Sequence, residues 1–156
     1  MNKLEFKDIH DRHIGRSIRM QAEQNGDTRF LVFDRTVYTF HETNAKVNEL
    51  AAGLRRLGIG PGDRVVFYMS SAPEVMFLVL AVNKLGAVWV PVNTDYKGDW
   101  LADAINDSKG VALAVDDALL PRLQQVRDRV AFGHLLLHRS APEQVREAGA
   151  AATLAD

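Results

Sequence analysis

Hydrophobic and polar positions change their spacing several times along the chain, most clearly over residues 58–93. Residues 65–69 are an apolar and aromatic run that follows a glycine-rich turn, a pattern typical of a strand buried on both faces. Residues 75–82 are all apolar. This run is too short to cross a bilayer, which takes ~20 residues, and it lacks the polar stripe of a surface helix. Residues 88–92 predict a second strand. We therefore expect a buried strand–helix–strand unit here.

The segment before this unit predicts a helix and a hairpin. Ile14 and Ile18 belong to a four-residue apolar spacing that favours a helix over residues 10–24. Residues 30–40 predict a hairpin whose tight turn lies near Asp34. Both elements fit an α/β protein.

Two capping boxes predict helix starts, because a hydroxyl and a carboxylate three residues apart can satisfy the free amides of a first turn. The first is Thr39 with Glu42, and the second is Ser71 with Glu74. Glycines at positions 58 and 86 predict where the two helices end.

The remaining sequence alternates between predicted strands and helices. In order, we expect a loop over 93–96, a helix over 97–107, a strand over 111–115, a helix over 119–130 with Asp117 as its N-cap, and a last strand over 134–138. The Ala-rich tail over 140–156 is expected to be helical at best and poorly anchored. This alternation predicts a single α/β domain over residues 1–156, a layered parallel sheet with flanking helices.

Composition narrows the function classes. Apolar residues make up 47% of the chain, charged residues 25%, and the net charge is −1. Dispersed charge of this kind argues against nucleic acid as a partner. The absence of cysteine excludes disulfides and thiolate chemistry and fits a cytoplasmic protein. The N-terminus does not have the pattern of a signal peptide, and no transmembrane segment is predicted.

Several residues are candidates for a functional site. The glycines of 58–62 follow a helix and precede a strand, the reverse of a dinucleotide-binding loop, so they predict a turn. Ligands of parallel sheets bind in a crevice beyond the carboxyl ends of the strands. Polar residues there are therefore candidates for a binding site, and the loop over 93–96 is the main one. The others are Ser70, Ser71, Asp116 and Asp117, for which helix capping and a solvated surface are alternative explanations.

Two histidine pairs and two tryptophans complete the candidates. Each histidine pair lacks a third ligand at metal spacing, and the tryptophans fit core or interface packing. The residues are His10 with His13, His134 with His138, Trp89 and Trp100. No catalytic, cofactor-binding or metal-binding residue is predicted.

Several short motifs occur in an order that resembles the N-terminal part of the adenylate-forming, AMP-binding superfamily. The matching segments are residues 38–42, 50–54, 57–58, 62–65, 71–74, 84–91 and 93–101. The last is most similar to fatty-acyl-CoA and crotonobetaine/carnitine-CoA ligases. The resemblance covers residues 25–120 and implies the first subdomain of an acyl-CoA synthetase N-terminal domain.

Such ligases convert a carboxylic acid and Mg-ATP to an acyl-adenylate, and the thiol of CoA then displaces AMP. The resemblance places the family's phosphate loop and catalytic lysine outside this chain. It therefore implies a truncated fragment, inactive alone, whose ATP, Mg and CoA belong to the full-length enzyme of fatty acid metabolism. Its expected partners are the remainder of the enzyme and a second copy of itself in a homo-oligomer.

Two alternatives stay open at this point. One is a non-catalytic scaffold or interaction module derived from the same fold. The other is an unrelated flavodoxin-like domain that binds ATP or FMN.

Overall fold

A computed structural model describes residues 3–6, 8–9 and 12–139, and the backbone of residues 152–154. These fall into two compact units. Unit 1 comprises residues up to Gly60 together with Ala72–Gly86, and unit 2 comprises Pro61–Ser71 together with residues from Ala87 onward. The chain therefore passes from one unit to the other three times. The single domain expected over residues 1–156 stays a prediction.

The described residues of unit 1 form three α-helices and a hairpin. In chain order these are α1 (Ile14–Asn25), β1 (Arg29–Phe33), β2 (Thr36–Thr39), α2 (Phe40–Arg56) and α3 (Pro73–Lys84). β1 and β2 are antiparallel, as predicted. Asp34 lies in their turn with φ 51°, a left-handed conformation that aspartate tolerates better than most residues.

The two predicted capping boxes have different outcomes. Thr39 caps α2, since its backbone N donates to Glu42 Oε2 at 2.8 Å and its Oγ1 accepts from Glu42 N at 3.2 Å. The box at Ser71 is wrong because the N-cap of α3 is Ala72, which makes no side-chain cap. Pro73 occupies the first turn and disfavours a helical conformation in the residue before it, so α3 begins later than the motif predicts.

Burial in the first and third helices also departs from the simple pattern. Ile18 is buried, but Ile14 is 51% exposed. Each four-residue step turns a helix by about 40° beyond a full circle, so residues 14 and 22 lie on either side of residue 18. α3 was expected to be buried all round; Phe77 and Leu78 are buried, whereas Met76 is 40% exposed.

The described residues of unit 2 form a five-stranded parallel sheet with helical connections, which confirms the predicted fold class. Its strands are β3 (Arg64–Tyr68), β4 (Val88–Pro91), β5 (Ala112–Asp116), β6 (His134–His138) and β7 (Ala152–Leu154), in the spatial order β4-β3-β5-β6-β7. Its main helix is α4 (Gly98–Ser108), which buries Leu101 and Ile105. β3 and β5 are buried along their length apart from their ends, whereas β4 is largely exposed.

Two predictions for this unit are wrong in detail. The helix over 119–130 is instead a 3₁₀ turn (Asp117–Leu119), a short α5 (Leu120–Gln124) and a second 3₁₀ turn (Arg127–Arg129). Pro121 fits only the start of a helix, because proline cannot donate to the turn before it. The tail was expected to be helical, yet Ala152–Leu154 pairs in parallel with β6; the rest of that prediction lies outside the described residues.

Candidate functional site

The strand order of unit 2 defines where a ligand of this kind of sheet would bind. From β3 the chain proceeds to β4 on one side, and then crosses to β5 on the other side of β3. The carboxyl ends of β3 and β5 thus flank a topological switch point, the usual crevice of doubly wound sheets. Ser70 and Ser71 lie just beyond the end of β3, and Asp116 and Asp117 lie at the end of β5; all four are candidates from the sequence.

Asp116 occupies this switch point with both carboxylate oxygens engaged. Its Oδ2 accepts a hydrogen bond from the backbone N of Ser70 at 2.5 Å. Its Oδ1 lies 2.8 Å from Nδ1 of His138, whose side chain is 1% exposed. The structure therefore brings together three candidates that lie far apart in the chain.

The charge of Asp116 follows from its surroundings. Burial is the largest influence and would raise its pKa. Hydrogen bonds from His138 and from Ser70 together outweigh burial, so the pKa of Asp116 lies below its usual value. The carboxyl is then ionised at neutral pH, and Nδ1 of His138 must carry the proton that it donates to Asp116.

The order of these contacts argues against nucleophilic catalysis. In a serine triad the imidazole lies between the hydroxyl and the carboxylate, so that it can take the hydroxyl proton. Here the carboxylate of Asp116 lies between Ser70 and His138. The arrangement holds the end of β3 in place and leaves the imidazole of His138 on the far side of the carboxylate from Ser70.

The loop over 93–96, the main crevice candidate, is held by unit 2 itself. The hydroxyl of Tyr68 donates to the carbonyl of Tyr96 at 2.7 Å, and Arg122 Nη1 donates to the carbonyl of Thr94 at 2.6 Å. Asn93 Oδ1 accepts from the backbone N of Asp95 at 2.9 Å. The sequence analysis does not predict these roles of Tyr68 and Arg122. For Tyr68 the sequence contains one signal, a tyrosine at the end of an apolar strand.

The other candidates have structural explanations. Gly58 and Gly62 have φ near +82°, as the predicted turn requires. His13 is the N-cap of α1, where its Nδ1 accepts from Arg16 N at 3.2 Å, and His10 lies outside the described residues. Among the residues that the structure describes, no three His, Cys, Asp or Glu side chains are grouped as metal ligands would be.

The two tryptophans are surface residues of unit 2. Trp89 in β4 is 40% exposed and its ring lies 6.1 Å from that of Phe67. Trp100 is 72% exposed and meets Tyr96 edge-on at 5.8 Å. Core packing is therefore wrong for Trp100, and its role in an interface stays a prediction.

Lys84 of the resemblance motif is held within unit 1. Its Nζ donates to Asn44 Oδ1 at 2.8 Å and to Asn48 Oδ1 at 2.6 Å. Burial, and secondarily the charge of Arg19, lower the pKa of Lys84. These contacts join α3 to α2, so the lysine has a structural role in the unit.

Comparison with known proteins identifies the class to which this fold and these motifs belong. Residues 18–154 match the family model of the AMP-binding enzymes, and the chain belongs to that family.

Individual relatives fit this assignment. The Bacillus subtilis (strain 168) protein YngI, which carries the provisional name of an acyl-CoA synthetase, is 32% identical over 128 residues, 73% of this chain and 23% of YngI. Tyrocidine synthase 3 of Brevibacillus parabrevis is 30% identical over 116 residues, 74% of this chain and 2% of that protein. A Mycobacterium tuberculosis fatty acyl CoA synthetase structure superposes with a TM-score of 0.77 at 26% identity, over 89% of this chain and 29% of that one.

The chain thus spans less than a quarter of the length of these two curated relatives. Within the part that the structure describes, no helix is long and apolar enough to cross a membrane.

Proposed function

We propose that this chain is the N-terminal framework of an ATP-dependent acyl-CoA ligase, which joins a carboxylic acid to AMP and then to CoA. The observation that carries the proposal is the match of residues 18–154 to the AMP-binding enzymes. The likeness to a fatty acyl CoA synthetase favours an acyl-CoA ligase of fatty acid metabolism. The likeness to tyrocidine synthase 3 keeps a peptide-synthetase adenylation domain as the competing assignment.

Among the residues that the structure describes, those at the switch point and Lys84 do not fit ATP and Mg, which supports a framework role. A nucleotide needs donors and cations aimed at its phosphates. At the switch point the amide of Ser70 is engaged by Asp116, and in unit 1 the amine of Lys84 is engaged by two asparagines. We therefore assign no step of adenylation to these residues and propose that the chain alone is inactive.

Pyrophosphate exchange tests this proposal. The purified 156-residue chain is incubated with Mg-ATP, labelled pyrophosphate and a panel of fatty, aromatic and amino acids, beside a complete acyl-CoA synthetase as positive control. We expect exchange at background with every acid. Acid-dependent exchange above background would overturn the framework role, and exchange restricted to amino acids would favour the peptide-synthetase assignment.

We further propose that the framework works within a larger assembly in the cytoplasm. The support is the exposure of apolar side chains in unit 2: Val88 is 46% exposed, and Trp89 and Trp100 are exposed as well. Such surface favours association with the rest of the ligase or, in the isolated chain, with a second copy. The same exposed apolar surface also supports the alternative of a non-catalytic interaction module.

A further inference from the structure

We propose that Asp116 is a built-in replacement for an anionic ligand, and that it closes the switch point between β3 and β5 to phosphates. The inference goes beyond the proposed function, because it concerns a binding place that the sheet offers and this sequence shuts. It also decides against a flavodoxin-like nucleotide site in unit 2.

The first step of the argument is the position of Ser70. Backbone N–H groups just beyond the carboxyl end of a strand at a switch point are the donors that such folds offer to a ligand's phosphate. Ser70 follows β3 closely, and its N–H points at a carboxylate oxygen of Asp116 at 2.5 Å. A bond from an amide to an ionised acceptor is stronger than one between neutral groups. The donor that a phosphate would use is therefore already bound to an anion.

The second step is that the carboxylate is held from behind. Oδ1 of Asp116 is 2.8 Å from Nδ1 of His138, and the imidazole is almost wholly buried at the end of β6. If Asp116 turned away to admit a ligand, the amide of Ser70 and the ring of His138 would both lose this acceptor. The ring of His138 is buried, so leaving its Nδ1 without this acceptor is costly and the closed arrangement is favoured.

The third step is charge. Asp116 is ionised in its hydrogen-bonded place, and Asp117 follows it directly in the chain. A phosphate brought to Ser70 would approach this carboxylate at short range, where like charges repel most strongly. Hydrogen bonding, the burial of His138 and charge thus all disfavour phosphate binding at Ser70.

The test uses the ¹⁵N-labelled 156-residue chain and follows the amide signals of Ser70 and Ser71. Inorganic phosphate, AMP and FMN are each titrated to about 10 mM. We expect no saturable shift of either signal in the native chain. In Asp116→Leu and Asp116→Ala, neither of which offers an acceptor to Ser70, we expect Ser70 N–H exchange at least about tenfold faster than in the native chain, and in Asp116→Ala a saturable shift with phosphate.

Asp95→Asn is the matched control, because it removes one exposed carboxylate from a loop of the same unit and should behave as the native chain. If Asp116→Ala does not fold, Asp116→Leu, which has a similar size but no acceptor, decides the exchange result. Saturable binding of any of the three ligands at Ser70 of the native chain would overturn the proposal, as would unchanged Ser70 exchange in Asp116→Leu. Neither result bears on pyrophosphate exchange, so the proposed function stands or falls separately.

Discussion

Gly15 in α1 lies so close to Lys84 in α3 that a Cβ built on the glycine would be 2.8 Å from the Cα of the lysine. Both residues belong to unit 1, and real Cβ atoms essentially never approach backbone atoms so closely. The two helices can therefore approach this closely only because residue 15 has no side chain.

Gly15→Ala should destabilise the protein by about 1–3 kcal/mol, because the added methyl group forces α1 and α3 apart. Gly53→Ala in α2 is the matched control. A Cβ there meets only the end of Arg56, at 3.8 Å, so the better helix propensity of alanine should stabilise the chain by about 0.5–1 kcal/mol. Urea unfolding measures both, and a neutral or stabilising Gly15→Ala would contradict the close packing.

Thr39→Ala should cost about 1 kcal/mol, since it removes the side-chain acceptor for the amide of Glu42 at the start of α2. Ser71→Ala should change the free energy of unfolding by less than about 0.5 kcal/mol, because Ala72 and not Ser71 is the N-cap of α3. Thermal unfolding of the two variants compares two motifs that look alike in sequence. Equal losses would contradict the assignment of the caps.

The same threonine should control the acidity of Glu42. The hydrogen bonds from the backbone N and side chain of Thr39 lower the pKa of Glu42. Thr39→Ala should move that pKa back towards the ordinary glutamate value, and carboxyl titration by NMR follows it. Ser71→Ala serves as the control, since it should leave the titration of Glu42 unchanged.

Tyr68→Phe should destabilise the protein by about 1 kcal/mol, because the carbonyl of Tyr96 loses a hydroxyl donor at 2.7 Å. Faster amide exchange should be confined to residues 93–97, whose loop this bond holds. Tyr38→Phe is the control: its ring contact with Phe77 needs no hydroxyl, so that loop should exchange as before. Uniform faster exchange across unit 2 would point to a core defect instead.

Asp116 should make stability depend on pH in the acid range. Its folded pKa is lowered, so its contribution is fully present well above the unfolded value of about 3.9 and is lost as the pH falls through the folded value. The difference in unfolding free energy between the native chain and Asp116→Asn should therefore shrink between about pH 6 and pH 2. Urea unfolding over this range measures it, and a constant difference would show that the charge contributes nothing.

Self-association of the isolated chain is expected through the exposed strand β4. Its exposed apolar residues carry no charge that would oppose pairing with another strand. Trp89→Lys should lower the average mass in light scattering at high concentration, whereas Val37→Lys, at a similarly exposed position in unit 1, should not. A monodisperse native monomer would contradict the expected oligomer.

Local patterns predicted most of the fold because they depend on neighbouring residues. The hairpin turn at Asp34, the box of Thr39 and the strand His134–His138 all occur where sequence placed them. The failures concern competition between local signals. Pro73 overrides the box at Ser71, and Pro121 lies at the start of a short α5 where apolar spacing predicts a longer helix.

The candidate site was less predictable for a different reason. The sequence identifies three candidate residues separately, Ser70, Asp116 and His138. Their contact with one another depends on the order of the strands. Alternating strands and helices predict a parallel sheet without giving which strands are neighbours. The carboxylate between serine and histidine therefore becomes visible only in three dimensions.

The bond between Ser70 and Asp116 also has a consequence for synthesis of the protein. The two residues are 46 positions apart. At ~5–20 residues per second, a ribosome completes Ser70 about 2–9 s before Asp116. Throughout that interval β3 lacks β5, the neighbour that covers one of its edges, and its Val-Val-Phe-Tyr run remains available to other nascent chains. Chaperone demand should therefore be greatest before residue 116 leaves the ribosome.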